Sequence, residues 1–424
     1  MSSQHPKVSV CIPSYNHARF LPEAIESALG QTYPNVEVVV VDDGSADGSL
    51  EIAEAYAARH PGRVRVYTHP GRRNRGISAT VNLGFEMATG DYYSGLPSDD
   101  VLYPDKVERQ VEFLEARPEV GFVYGRYDVI DDEGRVTGTQ AVEDLSGDPD
   151  PLARMVEINV IPGVTVLARR EAVARVYPHA EGLVYSDWEF WARFLALTPV
   201  GFIDRPLVKY RVHGSNTSVG IEPARHLAHT LAALEALRRA APGLGGERFR
   251  ALLDLRLAHL RFCAGDREGA ARALGAAARS GLPAFARPEE FAAWVESRER
   301  EPFHPPAPGD AAGGEAGEAG EAGDEAADEG FGPWAVEQIR PAVGASFAGA
   351  ARRLVTARLC AEAAFRSHAT DPGRARHLVL RCLRNDPRWL GDRSLRSLAA
   401  EALVGRGLMD RLRRLKGRPG GAGD

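Results

Sequence analysis

Four short clusters of polar and acidic residues lie in the first half of this 424-residue chain, three of them directly after apolar runs. They are residues 13–16 (Pro-Ser-Tyr-Asn), 42–45 (Asp-Asp-Gly-Ser), 98–100 (Ser-Asp-Asp) and 186–188 (Ser-Asp-Trp). In an open α/β sheet, ligands bind just outside the carboxyl ends of the strands, so we expect these clusters to converge on one crevice. Carboxylates in one crevice repel each other unless they hold a cation, share a proton or meet donors. The pattern therefore indicates a ligand site.

Alternating strands and helices must position these clusters. Strands are predicted at residues 7–12, 36–41, 64–68 and 91–96, and helices at 22–29, 50–59 and 79–88. The 36–41 run is almost wholly apolar, as expected of a strand that is covered on both faces. This alternation predicts the α/β fold class, with a mainly parallel sheet and right-handed crossovers.

The remaining segments are more mixed and then become helical. A helix is predicted at residues 104–116, strands at 121–130, 163–168, 201–203 and 208–212, and an aromatic helix at 187–197. Helical pairs follow at 248–264 with 267–280 and at 350–368 with 372–384, and a last helix at 394–415. We therefore expect an α/β domain at 1–222, helical regions at 223–300 and 336–424, and a linker at 301–335.

The charge of the chain is concentrated in that linker. The formal net charge is −6, but residues 308–333 hold eight acidic and no basic residues, so the rest is nearly neutral. This balance gives no reason to expect a nucleic-acid partner. Three tandem Gly-Glu-Ala units at 314–322 cannot bury enough apolar area to offset ordering, which predicts disorder in the linker.

Cysteine usage and hydropathy bear on the compartment. The four cysteines, Cys11, Cys263, Cys360 and Cys382, have no metal-type pair spacing. The first strand begins too close to Met1 for a signal peptide, and no apolar stretch approaches a membrane span. We expect a reduced cytoplasmic protein.

Further motifs stand in a fixed order with the clusters. They are residues 10–16 (Val-Cys-Ile-Pro-Ser-Tyr-Asn), 31–37 leading into 41–45, 74–76 (Asn-Arg-Gly), 88–92 (Ala-Thr-Gly-Asp-Tyr), 98–100 with 103–106, 186–188 and 210–216. As an ordered set they resemble the family 2 glycosyltransferases of the GT-A fold, up to about residue 220. The resemblance implies an enzyme that moves a sugar from a nucleotide-diphosphate donor, with a UDP-sugar expected, to an acceptor hydroxyl with inversion. The expected acceptor is a cell-surface polysaccharide, another glycan or a lipid-linked sugar.

The resemblance also implies which residues bind the nucleotide sugar. They are Pro13, Tyr15, Asp42, Asp43, Arg75, Ser98 and Asp99. Tyr15 offers a flat face to a base and Asp43 an acceptor to its N–H, with Asp42 as support. Alternatively, residues 42–45 are an ordinary polar turn, and Arg75 is a solvated surface charge.

A divalent cation is the second implied partner. Mg²⁺ or Mn²⁺ on a departing diphosphate lowers the barrier, and carboxylate oxygens suit both ions. The resemblance places the ion on Asp99, Asp100 and His213. Pro97 stands where many relatives carry a further aspartate, which puts the ribose contact and the metal affinity in doubt. The alternatives are a helix N-terminal region for the aspartates and a surface position for His213.

The catalytic base implied by the resemblance is Asp187. It would take the proton from the acceptor hydroxyl, although Ser186 replaces the glutamate that usually precedes this aspartate. Alternatively, Asp187 caps the helix that follows it. Trp188 and Trp191 are candidates for stacking on a sugar, but their spacing also fits a helix face in the core.

Two other classes of function compete with this interpretation. A degenerate domain that binds a nucleotide sugar or glycan without turnover is supported by Pro97 and Ser186. A dinucleotide-binding oxidoreductase is excluded because residues 14–19 contain no glycine to cradle a pyrophosphate. The basic helix at 394–415 either lies on the inner face of a membrane, making the protein peripheral, or packs on the preceding helices.

Overall fold

The computed structural model describes residues 5–214, 216, 222–240, 244–299, 331–367 and 372–388. The chain divides into two compact units, Met1–Leu253 and Asp254–Asp424. The first unit contains a nine-stranded sheet, whereas the described residues of the second are helical.

The strands of the parallel half of the sheet lie in the order β3-β2-β1-β4. They are β1 (Val8–Ser14), β2 (Val36–Asp42), β3 (Val64–Thr68) and β4 (Tyr92–Gly95). Helices α1 (Leu21–Leu29), α2 (Ser49–Arg59) and α3 (Ile77–Met87) connect them. Val38 and Val40 of β2 pack in a cluster with α1, while Val39 and Val41 pack on the other face beside α3. Both faces are therefore apolar, which explains the unbroken run in the sequence.

The other half of the sheet mixes strand directions. It contains β5 (Val101–Leu102), β6 (Phe122–Ile130), β7 (Val136–Gln140), β8 (Leu167–Arg169) and β9 (Val200–Arg211). Strand β6 pairs in parallel with β9 over most of its length, and β8 runs antiparallel to both β4 and β6. The sheet is mixed, and its longest pairings are parallel.

Two strand predictions in this half were wrong in detail. The segments predicted at 201–203 and 208–212 form one strand, β9, which continues through Pro206 because its register against β6 shifts near Arg126. The predicted strand at 163–168 begins instead with a 3-10 turn, Gly163–Thr165, and only then enters β8.

Five further helices complete the first unit and lead into the second. They are α4 (Lys106–Glu115), α5 (Pro151–Glu157), α6 (Arg170–Val176), α7 (Ser186–Leu195) and α8 (Pro223–Ala240). The helical remainder comprises α9 (Gly246–Cys263), α10 (Arg267–Ala278), α11 (Pro288–Glu299), α12 (Phe331–Val343), α13 (Ala345–Ser367) and α14 (Pro372–Asn385). The helical pairs α9–α10 and α13–α14 match the pattern in the sequence.

The predicted linker is shorter at its carboxyl end than its composition suggested. Helix α12 begins at Phe331, which is fully buried among aromatic rings that include Phe262 and Trp294. Residues 300–330 and the predicted basic helix at 394–415 lie outside the described residues. None of the described helices combines the length and apolar character that crossing a bilayer requires.

A buried carboxylate ties the strands together below the candidate site. Glu37 of β2 accepts hydrogen bonds from Ser9 Oγ at 2.5 Å and Thr89 N at 2.7 Å, and it pairs with Lys7 at 2.7 Å and Arg65 at 2.9 Å. Burial alone would raise the pKa of Glu37, but its hydrogen bonds outweigh burial and lower the pKa to about 2. Glu37 therefore fixes β1, β3 and the turn before β4 around β2.

Candidate active site

The loops that follow β1 and β2 are joined at the carboxyl edge of the sheet. Ser14 and Asp42 are partners in the β1–β2 register, and the Asp43 N–H donates to Ser14 O at 2.8 Å. Asn16 has a φ of +53°, and its N–H donates to Ser45 Oγ at 2.9 Å. This connection leaves the ring of Tyr15 half-exposed at the edge of the crevice.

The two neighbouring aspartates after β2 form hydrogen bonds to different loops. Asp42 Oδ2 accepts the N–H groups of Gly44 and Ser45, both at 3.0 Å, so Asp42 holds its own loop. Asp43 Oδ1 accepts the Arg75 N–H at 2.6 Å, and Oδ2 accepts the Gly76 N–H at 2.9 Å. Both carboxylates are buried. Asp43 therefore brings the turn before α3 to the edge of the crevice.

The Arg75 side chain lies at the surface of this turn. Its guanidinium pairs with Glu181 at 3.2 Å, and both side chains are more than half exposed. Exposed pairs of this kind contribute about 0–1 kcal/mol, so the pair leaves Arg75 able to exchange its partner.

Three potential metal ligands meet after β4. Atoms of His17, Asp99 and His213 all lie within 4.8 Å of one another. His213 Nε2 is 3.0 Å from Asp99 Oδ2, and His17 Nδ1 is 2.8 Å from Ser98 Oγ. Asn216 accepts the His213 N–H at 2.5 Å and so orients the loop after β9. Of the predicted ligands, Asp99 and His213 are thus brought together.

His17 was not found from the sequence. It follows the first polar cluster directly, but a lone histidine in the loop before α1 has no spacing that marks it as a ligand. Only the sheet order, which places β1 beside β4, brings it to Asp99.

The structure does not bring Asp100 to this group. Asp100 Oδ1 accepts the Arg211 N–H at 2.8 Å, and the carboxyl is buried. Burial, and then the neighbouring Asp99, raise the pKa of Asp100 well above its ordinary value. An inward-facing carboxyl that accepts the Arg211 N–H is poorly placed to bind a metal ion, so Asp100 is better described as part of the support for Asp99.

Arg211 is a second residue that the sequence did not reveal. Its side chain is fully buried, and Nε donates to Asp99 O at 2.9 Å. The other guanidinium nitrogens bond Asp131 O at 3.0 Å and Glu23 Oε2 at 2.5 Å. Arg211 therefore anchors the backbone of Asp99 from the end of β9.

Asp187 lies in the first turn of α7, at the wall of a cavity of about 750 Å³. Asn159 Nδ2 donates to Asp187 Oδ2 at 2.9 Å, and burial raises the pKa of the carboxyl above its ordinary value. Pro13 and Pro97 line the same cavity. Asp187 therefore faces a space that reaches the ends of β1 and β4, where the metal-ligand group begins.

The two tryptophans of α7 have separate roles. Trp188 is buried and its Nε1 donates to Met155 O at 2.6 Å, as expected of a core residue. Trp191 is also mostly buried, but it lines the cavity beside Asp187. Ser186 Oγ accepts from Ser78 Oγ at 2.9 Å and joins α7 to α3.

Comparison with a solved structure identifies the fold class. Residues 1–349 of S. aureus TarS, crystallised in complex with UDP-GlcNAc, match with a TM-score of 0.50 and 19% identity, over 69% of this chain and 88% of that one. The mixed sheet, with acidic loops at the carboxyl edge of its parallel half, is the GT-A fold. The predicted fold class is confirmed.

Comparison with known sequences identifies the family. Residues 9–176 match the model described as glycosyl transferase family 2. An uncharacterised glycosyltransferase of Nostoc sp. (strain PCC 7120) is 31% identical over 231 residues, which cover 51% of this chain and 68% of that protein. One from Rickettsia felis is 33% identical over 221 residues, covering 50% of this chain but only 35% of that longer protein. The chain belongs to glycosyl transferase family 2.

Proposed function

We propose that this enzyme moves a sugar from a nucleotide-diphosphate donor to an acceptor hydroxyl with inversion, and that it depends on a divalent cation. One observation carries the proposal. The cavity that holds Asp187 reaches Pro97, which directly precedes Ser98 and the ligand group of Asp99. A base at Asp187 and a cation near Asp99 would suit a single displacement, in which the acceptor hydroxyl attacks the sugar as the diphosphate leaves.

The nucleotide would lie along the joined loops after β1 and β2. Tyr15 offers a half-exposed ring on which a base can stack. Asp43 Oδ1 accepts the Arg75 N–H and lies 3.5 Å from His69 Nε2, whereas Oδ2 accepts the Gly76 N–H and keeps a second lone pair that can accept a base N–H. Arg75 is exposed beside this turn and can exchange Glu181 for a phosphate. TarS, the fold neighbour, was crystallised with a donor of this chemical type.

The cation would be held by Asp99, His213 and His17. Such an ion neutralises the charge that gathers on the departing diphosphate. Two imidazoles and one carboxylate favour a transition-metal ion such as Mn²⁺ over Mg²⁺, which prefers oxygen ligands. His17 would thus supply a ligand in place of the aspartate that many relatives carry at the position of Pro97. Ser98 orients His17, and Arg211 orients Asp99.

Asp187 would accept the proton of the attacking hydroxyl. Asn159 holds one carboxylate oxygen and so sets the direction of the other. Because the hydroxyl oxygen attacks as the bond to the diphosphate breaks on the opposite side, a single displacement inverts the anomeric carbon. The raised pKa of Asp187 makes it a stronger base than an exposed aspartate.

Metal binding offers a direct test of the ligand group. We expect calorimetry with Mn²⁺ to show at least tenfold weaker binding for His17→Ala and Asp99→Asn than for the wild type. His5→Ala is the matched control, because His5 lies before the amino end of β1, at the other edge of the sheet. Equal Mn²⁺ affinity in wild type and both ligand variants would contradict the proposed site.

A panel of nucleotide-diphosphate sugars, read by release of free nucleotide, tests the reaction itself. A donor that binds but is never cleaved, with or without metal, would favour the alternative of a binding scaffold.

A further inference from the structure

The cavity beside Asp187 is large and mostly apolar. Its volume of about 750 Å³ lies within the range of roughly 300–1,000 Å³ that holds drug-sized ligands. Its walls come from α3, the segment 158–164, and α7. Aliphatic and aromatic side chains dominate, among them Val81, Leu96, Val160, Ile161, Val184 and Trp191. Such walls recognise hydrocarbon better than a sugar ring alone.

Two large apolar side chains stand at the mouth of this cavity. Ile158 is 60% exposed and Ile77 is 51% exposed, and both belong to the lining. They come from different elements, the segment after α5 and the start of α3. An apolar group bound between them would remove both from water, which is favourable in proportion to the area buried. Because both isoleucines line the same cavity as Asp187, we take this exposed side as the entrance for the acceptor.

The charges of the lining exclude an anionic acceptor. Among the residues that the structure describes, the ionisable members of the lining are Asp187, Glu143, His179 and tyrosines, with no lysine or arginine. Glu143 is paired with Arg154, which lies outside the lining. Burial, and then Arg193, lower the pKa of His179 to about 3, so its ring is neutral. A phosphate in this cavity would face the Asp187 carboxylate with no cation from the lining to offset the repulsion.

We infer that this cavity binds an uncharged acceptor through an alkyl or aryl substituent close to the attacked hydroxyl, as in an alkyl or aryl glycoside. The inference rests on the proposed role of Asp187 as the base, because that role makes this cavity the acceptor site. It excludes a lipid phosphate as the attacking group.

Matched glycosides test this inference without requiring turnover. Methyl and octyl glycosides of glucose, galactose, mannose and N-acetylglucosamine are titrated into the full chain below their micellar concentrations. Binding is read by calorimetry and by tryptophan fluorescence, since Trp191 lines the cavity. Each fully buried methylene adds roughly fourfold in affinity, so we expect octyl to bind at least tenfold more tightly than methyl in at least one pair.

Surface variants locate the binding. Ile158→Ser and Ile77→Ser should each reduce the octyl-to-methyl ratio at least threefold. Val136→Ser is the matched control, because Val136 is 53% exposed on β7 and is not part of the lining. Circular dichroism confirms that each variant is folded, and donor affinity is measured in parallel.

Every result bears on the inference. Equal affinity for methyl and octyl glycosides in all four pairs overturns it, as does an octyl preference that both isoleucine variants retain. Tighter binding of octyl phosphate than of every octyl glycoside overturns the charge argument. Failure of the proposed function is a separate result, because it appears as uncleaved donor in the nucleotide-release panel.

Discussion

The pairing of Asp187 with Asn159 leads to a prediction that separates a catalytic base from a structural carboxylate. Asp187→Asn keeps the shape of the side chain but removes the base. We expect the rate of transfer to fall by about 10²–10⁴ at every pH, the usual contribution of general acid–base catalysis. Donor binding should persist, because the donor contacts proposed above come from other loops.

Asn159→Ala should behave differently, because it leaves the base in place. The hydrogen bond from Asn159 stabilises the ionised carboxylate, and hydrogen bonds to charged groups contribute about 1.5–3 kcal/mol. At about 1.4 kcal/mol per unit, its loss raises the pKa of Asp187 by roughly one to two units. The acidic limb of the kcat/KM profile should therefore move up by that amount, and activity should recover at high pH.

The assay is a pH–rate profile of sugar transfer for the wild type and both variants. More than a tenth of wild-type activity in Asp187→Asn would refute the assignment of the base. An unshifted acidic limb in Asn159→Ala would show that this hydrogen bond does not control Asp187.

The ionised carboxylate of Asp187 should also lower the free energy of unfolding. Burial raises the folded-state pKa of Asp187 above 3.8, so the unfolded chain releases the proton first as pH rises. Stability is then lost as pH rises from 3.8 through the folded-state pKa, and it stays lower above that pKa. Asp187→Asn should consequently be more stable than the wild type in urea at pH 7, and this advantage should disappear below pH 3.8. A less stable variant at pH 7 would contradict the reasoning.

Three further predictions concern the fold. Because the folded-state pKa of Glu37 is about 2, its hydrogen bonds stabilise the folded protein above pH 4.5, and this stabilisation is lost as pH falls towards 2. Urea denaturation at pH 7 should therefore show that Glu37→Gln lowers the free energy of unfolding by about 2–3 kcal/mol. An unchanged urea-unfolding midpoint in Glu37→Gln would contradict this prediction. Burial lowers the pKa of Lys106 to about 7, so protonating this side chain destabilises the fold as pH falls from 10.5. Lys106→Met should therefore raise the free energy of unfolding by on the order of 3 kcal/mol at pH 6. A lower free energy of unfolding for this variant at pH 6 would contradict the prediction. Deleting residues 309–330 should leave transfer and thermal stability unchanged, and a large drop in Tm would count against the linker interpretation.

Much of the sheet could be predicted because its strands carry a local signal. The β2 run is apolar at every central position, since both faces are covered. β9 was divided in two because Pro206 interrupts the pattern, and only its pairing with β6 continues the strand. The helix at Phe331 was missed because glycine and proline follow its first residue, whereas tertiary packing of that ring decides the structure.

The candidate site was predicted where a motif marked it and missed where topology alone assembled it. Asp99 and His213 lay in ordered motifs, and the structure places them 3.0 Å apart. His17, Asn159 and Arg211 have no sequence signal of their function, because each acts through a contact made by a distant segment. Asp100 shows the reverse case, in which two adjacent carboxylates look equivalent but one points inward.

Release of free nucleotide from a panel of nucleotide-diphosphate sugars, with Mn²⁺ and with excess chelator, measures the proposed metal-dependent reaction itself. We expect that at least one donor is cleaved in Mn²⁺ and that excess chelator removes the activity. Asp99→Asn and His17→Ala should lose activity in proportion to their loss of Mn²⁺ affinity. Undiminished release in excess chelator, or no release from any donor under any condition, would contradict it.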